Sequence, residues 1–269
     1  MHMHMVHASP CATTAAAGLT SPDTIGRVPA ATTFVIDEAD VEPARADGDT
    51  GSVRVTFDAF NGCERLEQRV IRFAPGRSRD RTLAGRQEVL FVVDGAGELH
   101  LEGERHSLEP ETGIFIAQGE TYSIENPGPG DLMVLSVLVG AGREPAEGDR
   151  KVTVRFADQP ELEASSERSF RYLVNEDSGC YDVTQFLGIV QPSKAPFHSH
   201  PYDEVGYIVE GEGMAHVGGR SMAIKAGSCF HLPPEEVHCI ENSGSGVMRI
   251  LGVFYPSGSP ASRAYQDNN

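Results

Sequence analysis

The chain has no tryptophan, no Cys-x2-Cys pair, few cations and no long apolar run. Its 22 Lys and Arg stand against 39 Asp and Glu, for a formal charge of −17. With no basic face to neutralise phosphates, nucleic acid and anionic membrane surfaces are not expected as partners. No stretch approaches the ~18 apolar residues of a membrane-crossing helix. The opening Met1-His2-Met3-His4-Met5-Val6-His7 has no Lys or Arg and no apolar core of signal-peptide length, so no secretion signal is read there. His2, His4 and His7 are expected to belong to a mobile terminus. The five cysteines (Cys11, Cys63, Cys180, Cys229, Cys239) are too few for a disulfide scaffold, and reduced thiols in a cytoplasm are the expectation.

What is present points to strands. With 29 Gly, 17 Pro and 39% apolar residues, the chain shows short alternating runs in place of 3.6-period stretches. Val53–Phe57, Arg69–Phe73 and Val89–Val93 are examples, punctuated by turns at Asp94-Gly95, Glu102-Gly103 and Pro127-Gly128-Pro129-Gly130. An all-β chain follows, with its hairpins forming a barrel or a sandwich, and an internal repeat makes it two copies of one β-domain. Glu88 and Glu204 are 116 residues apart, as are Gly95 and Gly211, His100 and His216, and Asn126 and Asn242. The same offset carries Val70–Pro75 onto Phe186–Gln191. The expected organisation is an irregular arm over 1–50, a first barrel over 51–142, a second over 149–257 and a tail over 258–269. Thr33-Phe34-Val35-Ile36 in the arm is a candidate extra strand.

The second copy holds the chemistry. His198 and His200 lie two apart, so on a strand both imidazoles leave from one face. Glu204 opens the next alternating run and His238 a third, and three short strands can bring these four ligands to one point. Three neutral imidazoles and a carboxylate suit one divalent first-row ion, Mn or Fe foremost, with Ni, Cu and Zn also fitting. Four protein ligands on a six-coordinate ion leave about two positions for substrate or dioxygen. The net +1 charge of such a complex favours a small anionic or chelating substrate. By strand parity Gly206, Ile208 and Ile240 should line the pocket, with Gly206 leaving room beside the metal and Tyr202 and Asp203 at the mouth.

The spacing His-x-His-x3-Glu-x6-Gly, from His198 to Gly211, followed by Gly219, Gly227, Pro233, His238 and Asn242, resembles the two motif blocks of the cupin superfamily. Lys225 departs from that pattern, since the second block usually has proline there. The resemblance implies a jelly-roll barrel with one metal on the four residues named, and the repeat makes it that of a bicupin. Sliding the ligands back by 116 gives Thr82, Ala84, Glu88 and Tyr122, so the first barrel should be metal-free. Arg77, Arg79, Arg81 and Arg86 around that vestigial mouth are either an anion clamp or a solvated loop. For function, an Fe(II)/Mn(II) oxygenase-type oxidoreductase resembles the quercetin dioxygenase and pirin branches. A redox-neutral Mn-dependent isomerase, decarboxylase or hydrolase resembles ureidoglycine aminohydrolase, and oxalate decarboxylases carry this ligand set in both copies. A non-catalytic ligand-binding or storage bicupin is the third reading. A homodimer is expected from the arm and the sheet edges.

Overall fold

A computed structural model describes residues 34–143, 150–262 and 264–265. The expectations for His2, His4, His7 and Cys11 lie outside the described residues. Apart from four short 3-10 turns, the regular structure described is antiparallel strand.

Four sheets stack in two sandwiches. The first sandwich closes around Ile71, Phe73, Leu90, Val92, Leu99, Ile114 and Ile124, and the second around Val190, Ile208, Ala215, Phe230, Ile240 and Ile250. A third apolar layer lies between the sandwiches and draws on both, with Val89, Phe91, Phe115 and Leu135 from one and Leu187, Val205, Tyr207 and Leu251 from the other. The strands Arg86–Asp94 and Asp203–Glu210 are therefore buried on both faces. Even-numbered residues point into their own barrel and odd-numbered ones into the shared layer. Double burial explains why Val89–Val93 reads as a continuous apolar run.

Two short strands cross over. Val35–Asp37 pairs antiparallel with Ser228–Leu232 and so extends the second barrel, while Thr153–Arg155 pairs with Thr112–Ile116 of the first. The described part of the arm thus reaches the far barrel through Val35–Asp37. Residues 153–155, counted with the second repeat in the sequence, are hydrogen-bonded to the first. Each crossing strand covers a sheet edge that would otherwise offer unpaired backbone groups. Behind the first of them, the buried carboxylate of Glu38 takes a two-pronged bond from Arg72, at 2.7 and 2.8 Å, and a third from the Tyr207 hydroxyl at 3.2 Å. The arm is thereby tied to both barrels at once.

The 116 offset holds from Glu88 onward. Phe91 pairs with Leu135 as Tyr207 pairs with Leu251, and Asn126 bonds Gly130 O as Asn242 bonds Gly246 O. Upstream it is 117. Val70 faces Leu135, whereas Leu187 faces Leu251, so the first copy has one extra residue between Phe73 and Glu88. This corrects the equivalence of Val70–Pro75 with Phe186–Gln191 by one position.

Because the barrels share a layer, damage to it should be felt by both. Phe91→Ala, at a side chain with no exposure, is expected to cost about 3–5 kcal/mol. Urea denaturation followed by far-ultraviolet circular dichroism should show a single shifted transition rather than the loss of one barrel.

Candidate metal centre

His198 and His238 face each other across a strand pair, His200 follows two residues on, and Glu204 comes from the adjoining sheet. All four are buried and line one cavity. The His198 and His238 rings lie 4.5 Å apart and the His200 and His238 rings 4.7 Å. Ligand atoms of His200, Glu204 and His238 lie within 4.8 Å of one another.

Hydrogen bonding fixes the tautomers. Nδ1 of His198 meets Pro196 O at 3.0 Å, Nδ1 of His200 meets Tyr202 O at 2.9 Å, and Nδ1 of His238 meets Glu236 O at 2.8 Å. A carbonyl can only accept, so each Nδ1 carries the proton, and in each neutral ring the Nε2 lone pair is the metal-binding atom. His200 Nε2 sits 2.9 Å from Glu204 Oε2. Two acceptors at that distance require a proton or a cation between them. Burial opposes protonation of His200, yet the hydrogen bond and charge of Glu204 outweigh it and raise its pKa. Burial pushes His238 down to about 4, with Glu204 opposing and the neighbouring His198 and His200 adding to the fall. This donor set, a buried carboxylate among imidazole lone pairs, fits a divalent first-row ion.

Around the ligands the pocket differs from the parity expectation. Ile240 lines the cavity. Gly206 and Ile208 do not, because the room left by Gly206 is filled by Phe230, whose ring a Cβ at Gly206 would strike. Ile208 is packed beneath it in the barrel core. Tyr202 is in place, stacked on His200 at 4.3 Å with its hydroxyl donating to Ser259 O at 2.9 Å. Asp203 is not at the mouth. It has odd parity, so its carboxylate enters the layer between the barrels, accepting from His231 Nε2 at 2.9 Å with Arg65 at 3.9 Å.

In the first barrel the extra residue changes the equivalences. His198 faces His238, and the residue facing Tyr122 is Arg81, so Arg81 takes the place expected of Thr82, and Ala84 is displaced likewise. Glu88 and Tyr122 stand where expected and close on each other, Tyr122 donating to Glu88 at 2.8 Å and Ser136 donating to its other oxygen. The arginines form no clamp, since Arg81 binds Asp49 at 2.7 Å and Arg86 binds Glu67 at 2.7 Å.

Ser136 carried no signal in the sequence. Arg168, the one cation among the described residues lining the cavity, did: it shares parity with buried Phe170. His100 and His216 play one structural part in both copies, bonding Glu125 and Glu241. Cys239 faces away from the ligands, its thiol against Ala195 O at 3.0 Å.

The family described as "Cupin domain" matches residues 69–138 and 186–254, the two copies of the repeat. The chain belongs to the cupin family. Among curated cupin relatives, an oxalate-binding protein of Thermotoga maritima is 36% identical over 63 residues, which is 23% of this chain and 52% of that protein. An uncharacterised protein of Methanocaldococcus jannaschii is 35% identical over 65 residues, 24% of this chain and 52% of that one. The chain thus matches these relatives over about half their length. Bacillus subtilis oxalate decarboxylase superposes with a TM-score of 0.70 at 15% identity, covering 87% of this chain and 79% of that one. A glyoxylate-induced protein of Pseudomonas aeruginosa gives 0.70 at 19%, covering 85% and 91%. At such identities the likeness shows the fold, a bicupin.

The His238 shift predicts an acid weakness of the metal-free protein. A native imidazole harder to protonate than the unfolded one contributes nothing above its ordinary value of 6.5 and costs stability below it. His200, shifted upward, acts with the opposite sign but by less. After chelation, stability should fall by up to about 3 kcal/mol between roughly pH 6.5 and 4. In His238→Gln, thermal melts over the same range should be flatter.

Proposed function

We propose that the second barrel is a metal-dependent oxidoreductase centre for a small anionic or chelating organic molecule, of the Fe(II)/Mn(II) oxygenase type. One observation carries this reading: three imidazoles, each with Nδ1 held by a backbone carbonyl, line one cavity with a buried carboxylate, and the ligand atoms of His200, His238 and Glu204 lie within 4.8 Å of one another while His198 stands beside His238. His198, His200, Glu204 and His238 would hold the ion, one per chain, since Glu88 in the first barrel is already satisfied by two hydroxyls. When bound, the metal would supply Lewis acidity and a site for one-electron chemistry next to the substrate.

Proton transfer is poorly provided for. Among the described lining residues Glu204 is the sole carboxylate and the three ligands are the only imidazoles, Asp203 and His231 lying on the far side of the sheet. Tyr202 gives its hydroxyl proton to backbone carbonyls. A site without its own proton carrier is better suited to oxygen chemistry than to general acid–base work. The cavity of about 90 Å³ limits the substrate to a compact molecule. A redox-neutral decarboxylase is the second reading, favoured by the likeness to oxalate decarboxylase, whose Mn(II) centres are documented, and by the oxalate-binding relative.

We place the protein in a reducing compartment, because Cys63, Cys180, Cys229 and Cys239 are all buried free thiols and burial raises the pKa of each. The exposed edge strand Leu162–Ser165 is the ground for a homodimer, which light scattering decides.

Elemental analysis of protein purified without chelator should find one Mn or Fe per chain. His198→Ala and His238→Ala should bring it near zero while the melting temperature of the chelated protein moves by only a few degrees; two ions per chain would sink the assignment. Oxygen uptake by the Fe(II) form across a panel of catechols, β-diketones and 2-oxo acids tests the reaction type. Carbon dioxide release without oxygen uptake would favour the second reading.

A further inference from the structure

The cavity has two unlike ends. The guanidinium of Arg168 reaches it from the strand Arg168–Val174, with Nη2 donating to Ile240 O. Ile240 is two residues along the strand from His238, and Arg168, His238 and Ile240 line the same cavity. Much of the remaining wall is apolar, and one side of it is aromatic: Phe170, Phe186 and Phe254 pack with Tyr202 into one cluster, ring centroids 6.1 Å apart for Phe170 and Phe186 and 4.8 Å for Phe186 and Phe254. Glycine makes room for it, since a Cβ at Gly252 would strike the Phe186 ring.

Resting on the metal-site reading above, we propose that this cavity selects small monocarboxylates carrying an apolar body, with the carboxylate held by Arg168 and the body against Phe170, Phe186 and Phe254. Arg168 and a +1 metal complex together attract one compact anionic group, and the planar guanidinium suits a carboxylate bidentately. The aromatic wall has nothing to offer a second charge. Oxalate, a dianion with no apolar surface, would bring one carboxylate against rings that cannot replace its water. An alkyl group gains there by leaving water. The oxalate of the relatives is therefore the wrong shape and polarity for this chain.

Calorimetric titration of the Mn(II)-loaded full chain with acetate, propionate, isobutyrate and oxalate tests this. Affinity should rise about fourfold per added methylene, and oxalate should bind more weakly than isobutyrate. Arg168→Gln should lose at least tenfold across the series with its metal content unchanged, and Arg168→Lys should fall between. Phe170→Leu should reduce the gain per methylene while leaving acetate alone. A flat series, oxalate binding as tightly as isobutyrate, or an Arg168→Gln protein that folds and binds like wild type would overturn the proposal. Failure of the wild type to take up Mn(II) would instead count against the metal-site reading. The same order of carboxylates on His198→Ala would keep the selectivity separate from it.

Discussion

The fold and the site both depend on strand alternation under burial on two sides. The segment Asp203–Glu210 is in the middle of the molecule, and its two faces have separate tasks. Glu204 and Ile208 serve the barrel interior, where the imidazoles are, while Asp203, Val205 and Tyr207 serve the layer that joins the barrels. A slip of one residue would exchange the two sets, burying Glu204 in an apolar interface and presenting Val205 to the metal. The shared layer therefore sets the register of the site. Its anchors, Leu251 against Tyr207 and Val253 against Val205, lie on the neighbouring strand Met248–Tyr255.

The crossing strands make the same point at the edges. Val35–Asp37 completes the sheet that holds Glu204, yet Glu38, the next residue, is gripped by Arg72 of the first barrel. Arg249 on the second barrel likewise pairs with Glu111 of the first. These are partly exposed charges of modest worth each, but they link parts distant in sequence. The first barrel acts as the support that holds the Glu204-bearing sheet from behind.

Local pattern made much of this legible. The histidine and glutamate spacing, the repeat from Glu88 to Asn242 and the strand assignments all rest on periodicities within a few residues; the structure agrees with the strands and with the repeat, and brings the four side chains to one cavity. What escaped depends on contacts across the fold. A single extra residue between Phe73 and Glu88 shifts Arg81 into the place expected of Thr82, and no local signal marks it. Parity correctly put Gly206 inside the barrel, but the sequence could not say that Phe230 would occupy the vacated volume. Asp203 beside Glu204 looked like a mouth residue because neighbours in sequence suggest neighbours in space. On a strand they are on opposite faces.

The two interiors treat their buried carboxylates differently. Leu90, Ile114 and Ser136 lie side by side on adjacent strands of one sheet in the first barrel, and the equivalent positions in the second are Gly206, Phe230 and Gly252. In the first, the Ser136 hydroxyl and Tyr122 satisfy Glu88, so a buried carboxylate is stabilised without any ion, and Tyr122, held fully buried beside that charge, has its own pKa raised. In the second, glycine at 252 removes the hydroxyl and gives its space to Phe186, while His238 stands in place of the tyrosine. Glu204 is then left facing only imidazoles. Burial of an ion without such partners is costly, so the second barrel needs a proton or a cation at its carboxylate where the first needs neither, and the same glycine that withholds a hydroxyl from the carboxylate admits the aromatic wall that shapes the cavity.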